Sequence, residues 1–367
     1  MKKILAIVAA MFLFLSSCTI KEIKSVDNII NTAIEDRIFP GAVLLVGNSD
    51  KILYEKAYGN YTYDKNSKEV TTESIFDMAS LTKVFATGMC VMKCIDSGLV
   101  DPEAHVIDYL PEFNNKGKDI IKVKHLLMHN SGLPSYSRRG ETADETMDII
   151  MNIEMQRSLG EYKYSCLNFI TLMRVVEEAT GMKMWEFYKE SFTDPMNMQR
   201  TFFSPDDDMK EYCLPTIGDS TGTVILRQGD VHDPLAYSLE GYSGNAGLFS
   251  SAEDLAKFCQ MMLNHGEYDG KRYVKESTIE PFMTLQSGTR AYAWGVNNYP
   301  SSAGDLMSKT AIGHTGYTGT CAWIDEENDI FIILLTNRVY PLDQKAVTPV
   351  RKAVNNAVMT ELLRIKN

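Results

Sequence analysis

The sequence predicts an α+β fold, an antiparallel β-sheet flanked by helices, with a mainly helical lobe inserted in mid-chain. Three observations predict it. Short apolar runs suited to strands lie near both ends, at 42–46, 51–58, 291–296, 310–324 and 330–336. The stretch 101–245 between them is richer in helical periodicity and loops, punctuated by Pro111, Pro134, Pro195, Pro205, Pro215 and Pro234. An amphipathic helix closes the chain. One lobe is therefore expected from about 27–80 and 250–365, and the helical lobe from about 84–249, all within one domain over 27–365.

Residues 1–17 read as a targeting segment. Lys2 and Lys3 form a positive start, and 4–15 an apolar run too short to span a bilayer comfortably. Ser16 and Ser17 then precede Cys18, a pattern that resembles a bacterial lipobox, in which Cys18 is lipidated and becomes the mature N-terminus. An ordinary cleaved signal peptide with an incidental Cys18 is the alternative. Either route takes the chain out of the cytoplasm, to a cell envelope with an outer or cytoplasmic membrane. Residues 18–26 then read as a tether.

Residues 27–37 predict a helix, with Ile29, Ile30, Ala33 and Ile34 at core spacing, broken by Pro40-Gly41. Gly47-Asn48-Ser49-Asp50 joins the first two strand runs as a hairpin. Helices follow at 84–95, at 175–188 and at 251–263. The last of these opens on Ser251 with Asp254 three residues later, a capping box, and stops near Gly266. The closing helix is capped by Thr348 with Pro349 at its first position, and sets Val350, Val354, Ala357, Val358 and Leu362 on one face.

The net charge is −11, and no basic cluster interleaves with aromatics, so nucleic acid is not a partner. No second long apolar run exists, so membrane attachment would be through the Cys18 lipid alone. Six cysteines besides Cys18 show no compact spacing, and Cys90 and Cys94 share a helix face. Buried, reduced thiols are expected. No metal or organic cofactor is implied.

The chemistry concentrates at Ser80. Ser80 and Lys83 form an S-x-x-K pair, three residues apart on one helical face, so the amine can reach the hydroxyl. A serine is a weak nucleophile until a neighbour takes its proton. A helix N-terminus would favour the neutral amine. Two further motifs follow in order: Tyr164-Ser165-Cys166, and Gly313-His314-Thr315-Gly316 ahead of Tyr317.

This ordered triple resembles the class C β-lactamase superfamily, which also holds penicillin-binding DD-peptidases, D-aminopeptidases and esterases. The resemblance covers about 27–365. Supporting stretches are His125-Leu-Leu-Met-His129-Asn-Ser-Gly-Leu-Pro134, Val231-His232-Asp233 and Gly244-Asn-Ala-Gly-Leu-Phe-Ser250. It implies a β-lactamase/transpeptidase-like fold and a Ser80 acyl-enzyme. Lys83 would help deprotonate Ser80. Tyr164 would be general base, then acid, its phenolate favoured by Lys83. The backbone N–H groups of Ser80 and Tyr317 would hold the oxyanion, and His314, Thr315, Gly316 and Cys166 would contact substrate. Gly316 would let the strand edge approach the substrate closely. Two residues depart from the pattern: Cys166 stands where β-lactamases carry Asn, and His314 where a lysine meets a substrate carboxylate. Both argue against efficient β-lactam hydrolysis.

The functional expectation is an envelope serine hydrolase acting on an ester or a D-amino-acid-containing peptide. One alternative is a penicillin-binding DD-carboxypeptidase or β-lactamase. A second is a non-catalytic module of the same fold that binds muropeptides or a protein. Plainer roles compete residue by residue. Ser80 and Lys83 could be an ordinary helix start, Tyr162 competes with Tyr164 as base, and His314 could be a strand histidine facing away. His125 and His129 have zinc-like spacing but lack the glutamate of H-E-x-x-H, which favours loop packing. His232 and Asp233 read as a loop tie. Arg138, Arg139 and Arg227 are candidate anion contacts whose default is solvation.

Overall fold

The structure is a computed structural model that describes residues 20, 22–220, 223–342 and 345–366. The leader and Cys18 lie outside the described residues. Its frame is a six-stranded antiparallel sheet. In chain order the strands are β1 (Gly41–Gly47), β2 (Ile52–Gly59), β3 (Gly295–Val296), β4 (Ile312–Thr315), β5 (Cys321–Asp325) and β6 (Ile330–Thr336). In space they run β3-β4-β5-β6-β1-β2. β1 lies between β2 and β6, so the N-terminal hairpin and the C-terminal strands complete one sheet.

β1, β5 and β6 are buried along their whole length. The period-2 alternation of a strand explains where each face goes. Val43, Leu45, Ile333 and Leu335 join the core shared with the helical region. Ala42, Leu44, Val46, Ile332 and Leu334 join a second core on the opposite face. Two helices cover that second face: α1 (Lys24–Glu35), through Val26, Ile30 and Ala33, and the closing helix, Thr348–Lys366, through Val350, Val354 and Val358. Burying each such Val, Leu or Ile side chain contributes about 1.5–3 kcal/mol.

The first face is covered by Ala252–Leu263, whose cap is the expected one: the Ser251 hydroxyl accepts from the Asp254 N–H. Its core joins two further helices, Gly88–Asp96 and Cys166–Thr180. In chain order these become α2 (Gly88–Asp96), α3 (Cys166–Thr180), α4 (Ala252–Leu263) and α5 (Thr348–Lys366). All six cysteines among the described residues are buried and unpaired.

Several boundaries differ from the sequence reading. α1 starts at Lys24, and Ile23 and Val26 are buried, so the end of the expected tether is packed structure. α3 begins nine residues before the predicted 175 and stops at Gly181, which takes a left-handed conformation with φ of 69°. A separate short helix follows at Met184–Tyr188. The predicted strand at 310–324 is two strands, because Gly316 and Gly319 sit in the turn between β4 and β5. The run 291–296 supplies only the two residues of β3; before it, 291–294 is a tight turn with Ala293 at φ of 65°.

Candidate active site

The nucleophile candidate sits in a strained turn. Phe76–Asp77 pairs with Leu248–Ser250, and the chain then turns through Ala79–Leu81. Ala79 has φ of 45°, a region that costs a residue with a Cβ free energy unless neighbours hold it. Asp77 holds it: its Oδ1 accepts the Ala79 N–H at 2.7 Å, and its Oδ2 accepts the His232 N–H at 2.7 Å. The next turn, Lys83–Thr87, is wound as a π-helix before α2 begins. Such wide turns recur at functional sites.

Lys83 is fully buried. Its Nζ donates to Ser80 Oγ at 3.1 Å and to the Asn245 carbonyl at 2.8 Å. The loop bearing Asn245 lies between α2 and α3, and only glycine fits at its start. A Cβ on Gly244 would lie 2.0 Å from the Phe169 carbonyl oxygen. The Tyr164 ring centroid is 5.2 Å from Lys83 Nζ. Tyr162 is instead half exposed and lies toward Arg290, so Tyr164 is the tyrosine that meets the lysine.

The electrostatics correct the neutral-amine expectation at Lys83 and set burial against the Lys83 charge at Tyr164. Burial opposes the Lys83 ammonium, yet Cys166, Tyr164 and Asp233 raise its pKa on balance. Lys83 is thus a charged donor rather than a neutral amine. Burial also raises the Tyr164 pKa, while Lys83 and Ser80 pull the other way without reversing it. The resting pair is therefore a phenol beside an ammonium, and the base form costs free energy to reach.

Strand β4 forms the opposite wall. His314 is buried and faces the cleft, its ring centroid 5.9 Å from that of Tyr164. Its Nδ1 donates to the Thr315 carbonyl at 3.0 Å, leaving Nε2 as an acceptor. Burial, then Arg290 and Lys83, hold its pKa well below the usual histidine range, so it is neutral. Gly316 borders the cleft, and a Cβ there would lie 2.5 Å from the Met78 carbonyl oxygen and 2.1 Å from Thr320 Oγ1, so only glycine fits. The Thr318 hydroxyl donates to the Asp77 carbonyl at 2.7 Å and the Thr320 hydroxyl to the Met78 carbonyl at 3.1 Å. These bonds fasten the turn after β4 to the Ser80 turn, which sets the spacing between the Ser80 and Tyr317 backbones.

Ser80, Tyr164, His314, Thr315, Gly316 and Tyr317 line one cavity of about 540 Å³. Cys166 does not line it. That residue is buried at the first position of α3, where its N–H donates to the Ser135 carbonyl, and it bears on Lys83 rather than on the cleft. His129 is buried against the Tyr164 ring at 4.6 Å, and its Nδ1 accepts the Ser165 N–H at 3.1 Å, which positions the tyrosine. His125 Nδ1 accepts the Lys122 N–H, and Asp233 caps the helix Pro234–Ser238 and accepts from Asn245 Nδ2 at 3.2 Å.

Of the arginines weighed from sequence, none reaches this cavity. Arg227 stacks on Tyr237 and donates to the Val231 carbonyl. The arginines that do line it are Arg290, Arg338 and Arg351. Sequence reasoning missed them, since each lies outside the motifs. The nearest signal was Arg290 just before the aromatic run Tyr292-Ala293-Trp294.

A serine and a buried lysine sharing a hydrogen bond, beside a tyrosine and a strand edge, define a serine hydrolase of the β-lactamase/transpeptidase-like fold. The comparisons agree. The beta-lactamase family model matches residues 26–355, and the chain belongs to that family. It is 31% identical over 359 residues to a Bacillus subtilis (strain 168) protein named "N-acetylmuramyl-L-alanine amidase", covering 87% of this chain and 81% of that one. It is 28% identical over 341 residues to an Escherichia coli (strain K12) protein named "Putative D-alanyl-D-alanine carboxypeptidase", covering 82% and 79%. Among solved structures, a penicillin-binding protein homologue from Caulobacter crescentus superposes with a TM-score of 0.76 at 16% identity, covering 94% of this chain and 99% of that chain. EstCE1, a hydrolase with promiscuous acyltransferase activity, superposes at 0.73 and 18%, covering 92% and 98%.

Proposed function

We propose that this hydrolase works through a Ser80 acyl-enzyme on an ester or a D-amino-acid-containing peptide, exported and lipid-anchored through Cys18. The observation that carries the acyl-enzyme is the 3.1 Å bond from Lys83 Nζ to Ser80 Oγ in a turn held from both sides.

Ser80 Oγ attacks the substrate carbonyl carbon and forms a C–O bond. Its proton passes to the basic form of the Tyr164–Lys83 pair, which has first lost one proton to solvent, and then to the leaving group as the scissile bond breaks. Water attacks the resulting ester with the same pair as base, which releases the acid and restores Ser80. Tyr164 is the proton carrier, and the Lys83 charge stabilises its phenolate in passing. The N–H groups of Ser80 and Tyr317 take the oxyanion, a contribution of about 3–4 kcal/mol per donor in comparable sites.

The peptide substrate draws support from the names of the two relatives, which refer to D-alanyl-D-alanine and to muramyl-L-alanine. The same names keep open a penicillin-binding DD-carboxypeptidase as a second reading. Cys166 lies off the cavity wall, so its replacement of the β-lactamase asparagine gives a non-catalytic module little support. A panel of p-nitrophenyl esters, nitrocefin and an acyl-D-Ala-D-Ala peptide tests the proposal. Turnover of at least one, lost in Ser80→Ala, is the expected result. Turnover unchanged in Ser80→Ala overturns the mechanism.

A further inference from the structure

Lys83 is a fully buried ammonium whose hydrogen bonds go to neutral groups: Ser80 Oγ, the Asn245 carbonyl and Tyr164. Among the described residues no carboxylate lies within ion-pair distance of it. A buried charge without compensation is costly. Five titratable groups face it from the surrounding segments. They are Tyr164 and Cys166 around the start of α3, His129 from the loop before it, His314 from β4, and Asp233. Burial first, then Arg290 and Lys83, hold both histidines neutral. Tyr164 rests as a phenol, and Cys166 is a free thiol. Asp233 is the one member of this set with a formal negative charge.

Asp233 reaches Lys83 through one residue, Asn245. Asn245 Nδ2 donates to Asp233 Oδ1 at 3.2 Å, and the carbonyl of Asn245 accepts from Lys83 Nζ at 2.8 Å. Asn245 is fully buried, and the Ser243 hydroxyl donates to its Oδ1 at 2.7 Å, which fixes the amide with its N–H groups toward Asp233. The same Asp233 oxygen accepts the Tyr136 O–H at 3.1 Å and the N–H groups of Leu235 and Ala236 at 3.1 and 2.8 Å. The last two are cap bonds of the short helix Pro234–Ser238, and a neutral Asn or Ser makes such bonds equally well. A cap alone therefore needs no charge and no buried amide relay. Asp77, the other carboxylate that feels Asp233, is spent on the Ala79 and His232 N–H groups. We infer that Asp233 is a positioning residue for the Ser80 reaction, acting through Asn245 as the counter-ion of the buried Lys83. This rests on the Ser80 acyl-enzyme reading. Its negative charge favours the protonated form of the Tyr164–Lys83 pair. Without it the pair releases its proton at lower pH and is a weaker base.

Asp233→Asn and Asp233→Ser test this, since both keep a capping side chain and remove the charge. Labelling of Ser80 by a fluorophosphonate is timed at pH 7 by intact mass. A merely structural residue would slow it when replaced. Loss of a counter-ion should speed it about 3- to 10-fold in both variants, because about tenfold more of the pair is basic and the base is somewhat weaker. A second readout needs no reaction. The Tyr164 phenolate is titrated at 295 nm as the difference between each protein and its Tyr164→Phe counterpart. Its midpoint should fall by about one pH unit, the scale of one charge acting across a protein interior at an effective dielectric of about 20. Labelling unchanged or slowed in both folded variants, with an unmoved midpoint, overturns the inference. So does loss of cooperative melting in both variants, which would make Asp233 a structural residue only. Absence of Ser80 labelling at every pH would instead count against the acyl-enzyme, and the 295 nm midpoint alone would then decide the role of Asp233.

Discussion

Gly316 and Met78 meet so closely that a methyl group on Gly316 would lie 2.5 Å from the Met78 carbonyl oxygen. Met78 is two residues before Ser80, and Gly316 immediately precedes Tyr317. The contact therefore sets the width of the gap between the two proposed oxyanion donors. Gly316→Ala should push these backbones apart, and displacement of about 1 Å at a reacting centre costs about 100-fold in rate. Steady-state kinetics should show the loss in kcat, with a smaller change in KM. Thr318→Val should act the same way more weakly, because it removes one buried bond to Asp77 at a cost of about 1–3 kcal/mol in stability.

The pH profile should report the tyrosine–lysine pair. Burial raises the Tyr164 pKa above the ordinary 10.0, and Lys83 is raised above its ordinary 10.5 on balance, Cys166 and Tyr164 outweighing burial. The basic form of the pair thus grows only as pH rises into the alkaline range, and the rate of Ser80 acylation should climb with it. His314 is held neutral, so no step should appear near pH 6.5. Pre-steady-state acylation rates between pH 5 and 10 measure this. A plateau from pH 6 upward would contradict it. Tyr164→Phe should lower the rate about 100- to 10,000-fold, the span for loss of a general acid–base group.

Stability should show a separate titration at Glu55. This β2 carboxyl is half-buried, one of its oxygens has no partner, and burial, then Glu253, push its pKa from 4.5 up to about 7. The folded chain thus binds a proton that the unfolded chain has released between about pH 4.5 and 7. Stability falls as pH rises through that window. Glu55→Gln removes the penalty and should raise Tm more at pH 8 than at pH 5.

Much of this architecture was legible because its signals are local. The runs of β1 and β6 are apolar up to the terminal Thr336, as strands buried on both faces must be, and the Ser251 helix start follows capping chemistry. Ser80, Lys83, Tyr164 and His314 were readable as short motifs in order. Other features depend on tertiary contacts that leave no local mark. The early start of α3 follows from packing of Cys166, Leu167 and Ile170 in the core. The charge states of Lys83 and Tyr164 follow from burial and from each other, and sequence reasoning took the helix dipole as the larger effect. Arg290 is one arginine among many in the sequence. Only the turn at 291–294 brings it to the cavity.

The central claim is that Ser80 is the nucleophile, and trapping the acyl-enzyme tests it most directly. The purified protein is quenched in acid within seconds of mixing with an active ester or a penicillin, then measured by intact mass and peptide mapping. The account predicts one added acyl group on the peptide containing Ser80, absent from Ser80→Ala. An adduct on another residue, or an equal adduct in Ser80→Ala, would contradict it.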